Sequence, residues 1–323
     1  MKVGRFLLTV VVILSFSLNV VFYLSGTIRT FASYSRQSTE LEGAVPGRND
    51  SESGFNEKSP YPINHPDTCS GDVDLIIVVC SGLGNFQSRE FVRKTWGSYS
   101  KQEFLKTRLL FLVGLGDDAT LEKVRKENRI HGDIIVGNFV DTYRNLTLKS
   151  ISVLKWIATY CANAKYGLKA DDDVFVNVPN LINALDVKRR KVEKFIIGSK
   201  QVGARPIQDK NSKWYTPRQE FGEKVYPPYV SGTAYAFTLP AAVSLYSVTH
   251  EMKPFWLEDI YITGLCARAA GIPRFDHGGF TFQRRKPTGC AFKHSISGHY
   301  LTGEEMLKIY NDLLNVDLKC DRA

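Results

Sequence analysis

Six consecutive apolar residues, Leu75–Cys80 (LIIVVC), leave the chain no polar face along that stretch. A run of this length without alternation is a strand buried on both sides, as in a parallel sheet covered by helices. Arg108–Leu115 and Asp133–Val136 repeat the pattern, and Ala119–Arg129 between them reads as a short polar helix. Leu148, Ile151, Leu154, Ala158 and Cys161 recur every three or four residues and mark one face of another helix. Tyr166–Ala170 is a further short strand, and Pro179 stands where the next helix would begin. Thr302 and Glu305 have capping-box spacing for a helix running toward Leu314. This alternation predicts an α/β domain with a mostly parallel sheet and ligands at the strands' carboxyl ends.

Phe6 to Leu24 is a stretch of 19 residues without a charge, preceded by Lys2 and Arg5. That length crosses a bilayer, and the basic flank keeps residues 1–5 cytosolic, a single-pass type II orientation. A cleaved signal peptide is the rival, but its apolar core usually runs about 7–15 residues. Either way the bulk of the chain enters the secretory pathway, where disulfides and N-glycans form. Residues 25–70 are rich in Ser, Pro, Gly, Asn and Glu without apolar period, which reads as a stem carrying the sequon at Asn49. Residues 71–323 form the expected lumenal domain. With 43% hydrophobic residues, the chain is neither wholly disordered nor collagen-like, and six cysteines are too few to build the fold from disulfides.

Ser81-Gly82-Leu83-Gly84-Asn85-Phe86-Gln87 follows the first strand and imitates a dinucleotide-binding fingerprint. Gln87 occupies the third glycine position, so a plain strand-to-helix turn is expected instead. Asp171-Asp172-Asp173 is a different matter. Three adjacent carboxylates between apolar strand-like residues repel one another unless a cation neutralises them. On extended backbone Asp171 and Asp173 point the same way, and hard oxygen ligands suit Mg²⁺ or Mn²⁺ holding a diphosphate. An exposed acidic turn is the bland alternative.

Five segments in order resemble the beta-1,3-galactosyltransferase and beta-1,3-N-acetylglucosaminyltransferase family, glycosyltransferase family 31, which includes the fringe-type enzymes. They are Arg89-x-x-x-Arg93-Lys94-Thr95-Trp96-Gly97, Asp141-Thr142-Tyr143-Arg144-Asn145-Leu146-Thr147-Leu148-Lys149, Lys169-Ala170-Asp171-Asp172-Asp173-Val174-Phe175-Val176-Asn177, Tyr226-Pro227-Pro228-Tyr229-Val230-Ser231-Gly232 and Glu258-Asp259-Ile260-Tyr261. The resemblance implies a GT-A glycosyltransferase fold, Rossmann-like, behind the N-terminal transmembrane helix. It implies a Golgi enzyme that transfers galactose from UDP-galactose, with inversion, to a glycan acceptor on glycoprotein or glycolipid. UDP-GlcNAc is the alternative donor, and a non-catalytic type II membrane lectin the alternative of another class.

The resemblance also assigns roles. Asp173 contacts the metal, with His299 completing the site, and His277 and His294 are the fallback histidines. A nitrogen beside carboxylate and phosphate oxygens favours Mn²⁺. Asp171 and Asp172 are assigned to the UDP-sugar. Arg89 and Arg93, four apart on one face of the helix after the first strand, are assigned to the UDP, in part through structural ion pairs. Tyr143 and Lys149 are further donor-site candidates, a packed tyrosine and a solvated lysine being the alternative. Asp259 is the base, and Glu258, Tyr229, Ser231 and Gly232 line the acceptor side. Glu258 and Asp259 open a helix continuing through Leu265, and Trp96 reads as core. The family pattern suggests a Cys266–Cys290 disulfide, while pairing among Cys69, Cys80, Cys161 and Cys320 stays open. Asn145 heads a second sequon. Lys188–Lys191 and Arg284–Lys286 read as solvated basic faces, and the net charge of +9 suits an anionic donor and a membrane without requiring nucleic acid.

Overall fold

Strand β1 (Val73–Cys80) is a central strand of a seven-stranded sheet, and Leu75 through Val79 are fully buried in the computed structural model. The structure describes residues 59–320. Phe6–Leu24, Asn49 and most of the expected stem lie outside those residues. Among the described residues no helix is long and apolar enough to cross a membrane.

The strands are β2 (Thr107–Leu115), β3 (Ile134–Val140), β4 (Ala164–Asp171), β5 (Phe175–Val176), β6 (Ile196–Gln201), β7 (Tyr229–Thr238), β8 (Arg274–Asp276) and β9 (Ser297–Gly298). The sheet order is β3-β2-β1-β4-β7-β6-β8. The β1–β2, β2–β3, β1–β4 and β6–β8 pairs are parallel, and β7 runs antiparallel to both its neighbours. Alternate residues of β1 feed two cores. Leu75, Ile77 and Val79 pack with Val92, Trp96 and Phe111, while Ile76 and Val78 pack with Leu154, Trp156 and Tyr235. That two-sided burial explains why the strand carries no polar period.

The main helices are α1 (Phe86–Lys94), α2 (Asp118–His131), α3 (Leu146–Tyr160), α4 (Val178–Arg189), α5 (Leu239–Thr249) and α6 (Gly303–Leu314). Asp117 caps α2, accepting from the Thr120 N–H, and Gly132 ends it in the left-handed conformation. Asn177 caps α4 just before Pro179, and Thr302 with Glu305 forms the expected capping box of α6. The α3 face is rotated from the one read in the sequence. Val153, Leu154, Trp156 and Ile157 are buried, whereas Leu148 is 39% exposed. Helical spacing identifies a helix, but Trp156 and Ile157 bury more apolar surface than Leu148 and Ala158 and so decide which side faces inward.

Composition assigns residues up to 70 to the stem, yet Tyr61, Ile63 and Cys69 are buried on the domain. Ile63 bridges to Val136, and a disulfide joins Cys69 to Cys161 at the end of α3. A second disulfide joins Cys290 to Cys320. The Cys266–Cys290 pair expected from the family pattern is therefore not formed. Cys266 is a buried free thiol in the second core, as is Cys80 at the end of β1, and the Cys290 sulfur is taken by the C-terminal segment.

Peptide mapping without reductant should recover the 69–161 and 290–320 links with Cys80 and Cys266 unlinked. Replacing both Cys69 and Cys161 by Ser should lower the unfolding free energy by about 2–4 kcal/mol in denaturant titration. A loss below about 0.5 kcal/mol would show that this link contributes little.

Candidate active site

β1 and β4 end together, since Cys80 pairs with Asp171 in parallel register. The acid triplet thus begins at the carboxyl edge of the sheet. β5 pairs antiparallel with β9, Phe175 opposite Gly298, and the Leu301 N–H donates to the Asp173 carbonyl at 3.1 Å. This pairing carries His299 to Asp173, with Nε2 to Oδ2 at 3.1 Å. Asp171, Asp173 and His299 offer ligand atoms within 4.8 Å of one another. His299 Nδ1 sits 3.0 Å from the Phe282 carbonyl, which orients the ring and leaves Nε2 facing the carboxylates. Burial alone would lower the His299 pKa, but the Asp173 carboxylate outweighs it and raises it. His277 takes no part: its Nδ1 accepts from the Gly279 N–H.

Lys169 lies one pleat back from Asp171 and points to the same side of β4. Its buried ammonium is 2.5 Å from Asp171 Oδ1, 2.5 Å from the Gly232 carbonyl and 4.0 Å from Glu258 Oε2. Burial would strip its proton, yet Asp171 and Glu258 hold it cationic, with a raised pKa. Burial pushes Asp171 up to about 6, against the opposing pull of Lys169.

Gly232 joins the acid triplet to the second acidic pair. Its carbonyl faces Lys169, and its N–H donates to Asp259 Oδ2 at 3.3 Å. A Cβ at Gly232 would come within 2.7 Å of Glu258 Oε2 and 3.3 Å of Asp259 Cβ, so glycine is what the close approach permits. Glu258 is pinned on its other oxygen by the Tyr235 hydroxyl at 2.8 Å. Asp259 stands at the mouth of the π-helical turn Ile260–Cys266, with Oδ1 accepting from the Ile260 N–H at 2.9 Å. The helix expected from the sequence is thus present, but wound as a π-turn, a form that often occurs at functional sites. Burial and the adjacent Glu258 push Asp259 up to about 7, and the two backbone N–H groups only partly offset this.

Asp172 turns away from its neighbours. Its Oδ2 accepts from Ser81 Oγ at 2.6 Å and Asn85 Nδ2 at 3.0 Å, and it borders a cavity of about 210 Å³ with Gln87, Ser88 and Leu301. The glycine-bearing turn after β1 is the plain strand-to-helix turn expected, yet it supplies these two donors. Arg89 and Arg93 do share a helix face, but they do not open onto a ligand. Arg89 is fully buried with every N–H engaged, by Glu127, Ser81 Oγ and the carbonyls of Gly82 and Leu83. Arg93 is tied to Glu127 at 2.7 Å and to Asp133 at 2.8 Å. Buried cations need carboxylate partners, and α2 and the residue before β3 supply them. Lys149 is buried too, donating to the Ser81 carbonyl at 2.8 Å and paired with Asp141 at 2.7 Å. All three basic residues brace structure around the site rather than line it.

Tyr143 is exposed, and its hydroxyl accepts from Trp214 Nε1 at 3.1 Å. Tyr229 is half-buried, with its phenol raised by burial and by Asp259. Ser231 is buried beside Gly232, and Trp96 is core. The Asn145 amide nitrogen, the atom a glycan would occupy, donates to the Val140 carbonyl at 2.9 Å. Sequence reasoning missed Lys169, Ser81, Asn85, Tyr235 and Trp214 as site residues. Lys169 had a signal, a lone cation alternating with Asp171 inside an apolar strand; Tyr235 had none.

The raised Asp259 pKa has a stability consequence. Between about pH 4 and 7 the folded state binds the proton that the unfolded chain has lost, so stability falls as pH rises through that window. Asp259→Asn removes the charge but keeps an acceptor oxygen for only one of the two N–H groups, its amide NH2 facing the other. Its melting temperature relative to wild type should therefore be higher by a few degrees at pH 8 than at pH 4.5. Equal shifts at both pH values would contradict the desolvated carboxylate.

A family described as Galactosyltransferase matches residues 87–277. The chain is 36% identical over 255 residues to "Beta-1,3-galactosyltransferase 1" of Homo sapiens, covering 78% of each chain. It is 33% identical over 277 residues to "UDP-GlcNAc:betaGal beta-1,3-N-acetylglucosaminyltransferase 7" of Mus musculus, covering 81% of this chain and 69% of that one. Among solved structures, a WbbM bifunctional glycosyltransferase aligns over 77% of this chain and 50% of its own, at 10% identity and a TM-score of 0.41. The family match spans Lys169, the acid triplet, Gly232 and Asp259, whereas Ser81, Asn85 and His299 lie outside it. The chain belongs to the galactosyltransferase family, glycosyltransferase family 31, and is a hexosyltransferase.

Proposed function

We propose that the chain is an inverting transferase of GT-A architecture that moves galactose from UDP-galactose to a hydroxyl of a glycan acceptor, in beta-1,3 linkage. The observation that carries this reading is the junction at Gly232. One backbone unit touches the ammonium that holds Asp171 and the carboxylate of Asp259, so a divalent-ion group and a base face the same strand end. The mostly parallel sheet with these groups at its carboxyl edge supports the architecture, and the human relative named for galactose supports the donor.

Asp173, His299 and Asp171 would hold the ion, and two carboxylates with one imidazole fit Mn²⁺. Such an ion neutralises charge on a departing diphosphate. Asp259 accepts the proton of the attacking hydroxyl as its oxygen bonds to the anomeric carbon and the bond from that carbon to the UDP oxygen breaks. The two backbone N–H groups fix the Asp259 carboxylate, and Glu258, held by Tyr235, is placed to accept from neighbouring acceptor hydroxyls. A base whose pKa lies close to working pH suits general-base catalysis. Residues 6–24 and the preceding basic residues support a type II anchor in the Golgi membrane, with residues 71–323 lumenal.

The murine N-acetylglucosaminyltransferase relative keeps UDP-GlcNAc as the second donor reading. Assay of the full chain in detergent with each UDP-sugar decides between them. A non-catalytic lectin would release no UDP with either.

Three outcomes are expected. Transfer should require Mn²⁺, vanish with chelator and fall at least 100-fold in Asp173→Ala. The acid limb of kcat/KM should fall below an apparent pKa near 7, and Asp259→Asn should lower kcat/KM by about 10³-fold. Gly232→Ala, which crowds Glu258 and Asp259, should lower kcat/KM by more than 10-fold while the thermal melt stays cooperative. Full activity in Asp259→Asn would remove that residue from its role.

A further inference from the structure

A second concavity, open to solvent, lies beside the start of β7. It has a volume of about 380 Å³ and is lined by Lys200, Pro228, Gly271, Ile272, Pro273 and Arg274. Two of these six residues are cations and none is an acid. Arg274 donates through Nη1 to the Ile272 carbonyl at 2.8 Å, but its buried Nε has no hydrogen-bond partner. Burial and the nearby Arg268 lower the Arg274 pKa, the mark of a guanidinium short of counter-charge. Arg268 itself is paired with Glu223 at 2.7 Å. Lys200 forms no ion pair among the described residues; its backbone N–H donates to Asp276 Oδ1 at 2.9 Å, while its side chain is left to the cleft.

The position relative to the reaction centre matters as much as the charge. Pro228 leads directly into Tyr229, and four residues on is Gly232, which holds Asp259. Four extended residues span at most about 14 Å. That upper bound puts the cleft within reach of the further sugars of an oligosaccharide whose hydroxyl reacts at Asp259. Pro228, Ile272 and Pro273 give the cleft apolar walls against which a sugar ring can pack, with the cations fixing its polar substituent.

We propose that this cleft is a subsite for an acidic group, a carboxylate or a sulfate, on a sugar of the acceptor distal to the reacting hydroxyl. The inference rests on the transferase reading above and extends it to the class of acceptor. The anion meets the Arg274 guanidinium and the Lys200 ammonium where they line the cleft, both charge-assisted hydrogen bonds. Neutral acceptors still reach Asp259 but leave the guanidinium uncompensated.

The test compares three acceptors of one length on the full chain in detergent: a neutral galactoside oligosaccharide, the same bearing a uronic acid, and the same bearing a sulfate. At low ionic strength one or both acidic acceptors should show a KM about 3- to 10-fold below the neutral parent, a gap that narrows as salt rises. The double variant Lys200→Ala with Arg274→Gln should bring that ratio close to one, whereas Arg274→Lys should retain most of it. Which acid gives the gap distinguishes carboxylate from sulfate. Calorimetric binding of the same saccharides without donor reads the subsite independently. If all transfer is absent but binding still discriminates, the catalytic reading fails and the subsite stands. Equal KM values and equal binding for all three acceptors overturn the proposal, as does discrimination that survives in the double variant. Loss of binding to anionic phospholipid vesicles in that variant, with acceptor preference unchanged, would also overturn it by making the cleft a membrane contact.

Discussion

One buried ammonium group decides whether this site can exist. Lys169 sits among Asp171, Glu258 and the Gly232 carbonyl, inside a sheet whose surroundings are otherwise apolar. Without a cation there, two carboxylates from different parts of the chain would face one another with little water to screen them. With it, β4 and β7 are tied by charge as well as by their antiparallel ladder. The Gly232 carbonyl is also fixed, and with it the N–H that orients Asp259.

The remaining architecture serves to bring distant acids to that cation. Parallel pairing of β1 and β4 delivers the triplet to the sheet edge, the small β5–β9 ladder delivers His299, and a π-turn aims Asp259 across the gap. A second layer of buried charge, Arg89 and Arg93 with Glu127 and Asp133, stiffens the turn whose Ser81 and Asn85 hold Asp172. The carboxylates are thus concentrated on one edge and restrained individually. Asp171 and Asp259 carry raised pKa values as the electrostatic cost of that concentration. Such perturbation is common where structure serves chemistry rather than stability.

The strands were legible because two-sided burial leaves an unmistakable run of apolar residues, and Leu75–Cys80 and Arg108–Leu115 fall within a residue or two of β1 and β2. The caps at Asn177 and Thr302 were legible because capping is local chemistry. Asp173 with His299 was reachable only through family resemblance, since a β5–β9 pairing brings them together across a long stretch of chain. For Arg89 and Arg93 the spacing shows a shared helix face but not what covers it; Glu127 and Asp133 come from α2 and the entry to β3. The Cys266 thiol was misassigned for the same reason, its partner having been claimed by a C-terminal segment with no local pattern. Lys169 was overlooked although its alternation with Asp171 is visible in the strand.

The central claim is that the cation at Lys169 couples the triplet edge to the base. The most direct measurement is the pH profile of kcat/KM for Lys169→Met, in preparations whose circular dichroism matches wild type. Removing a charge that now lowers the Asp259 pKa should move the acid limb upward by about one pH unit. An acid limb that stays where it lies in the wild type would contradict the coupling.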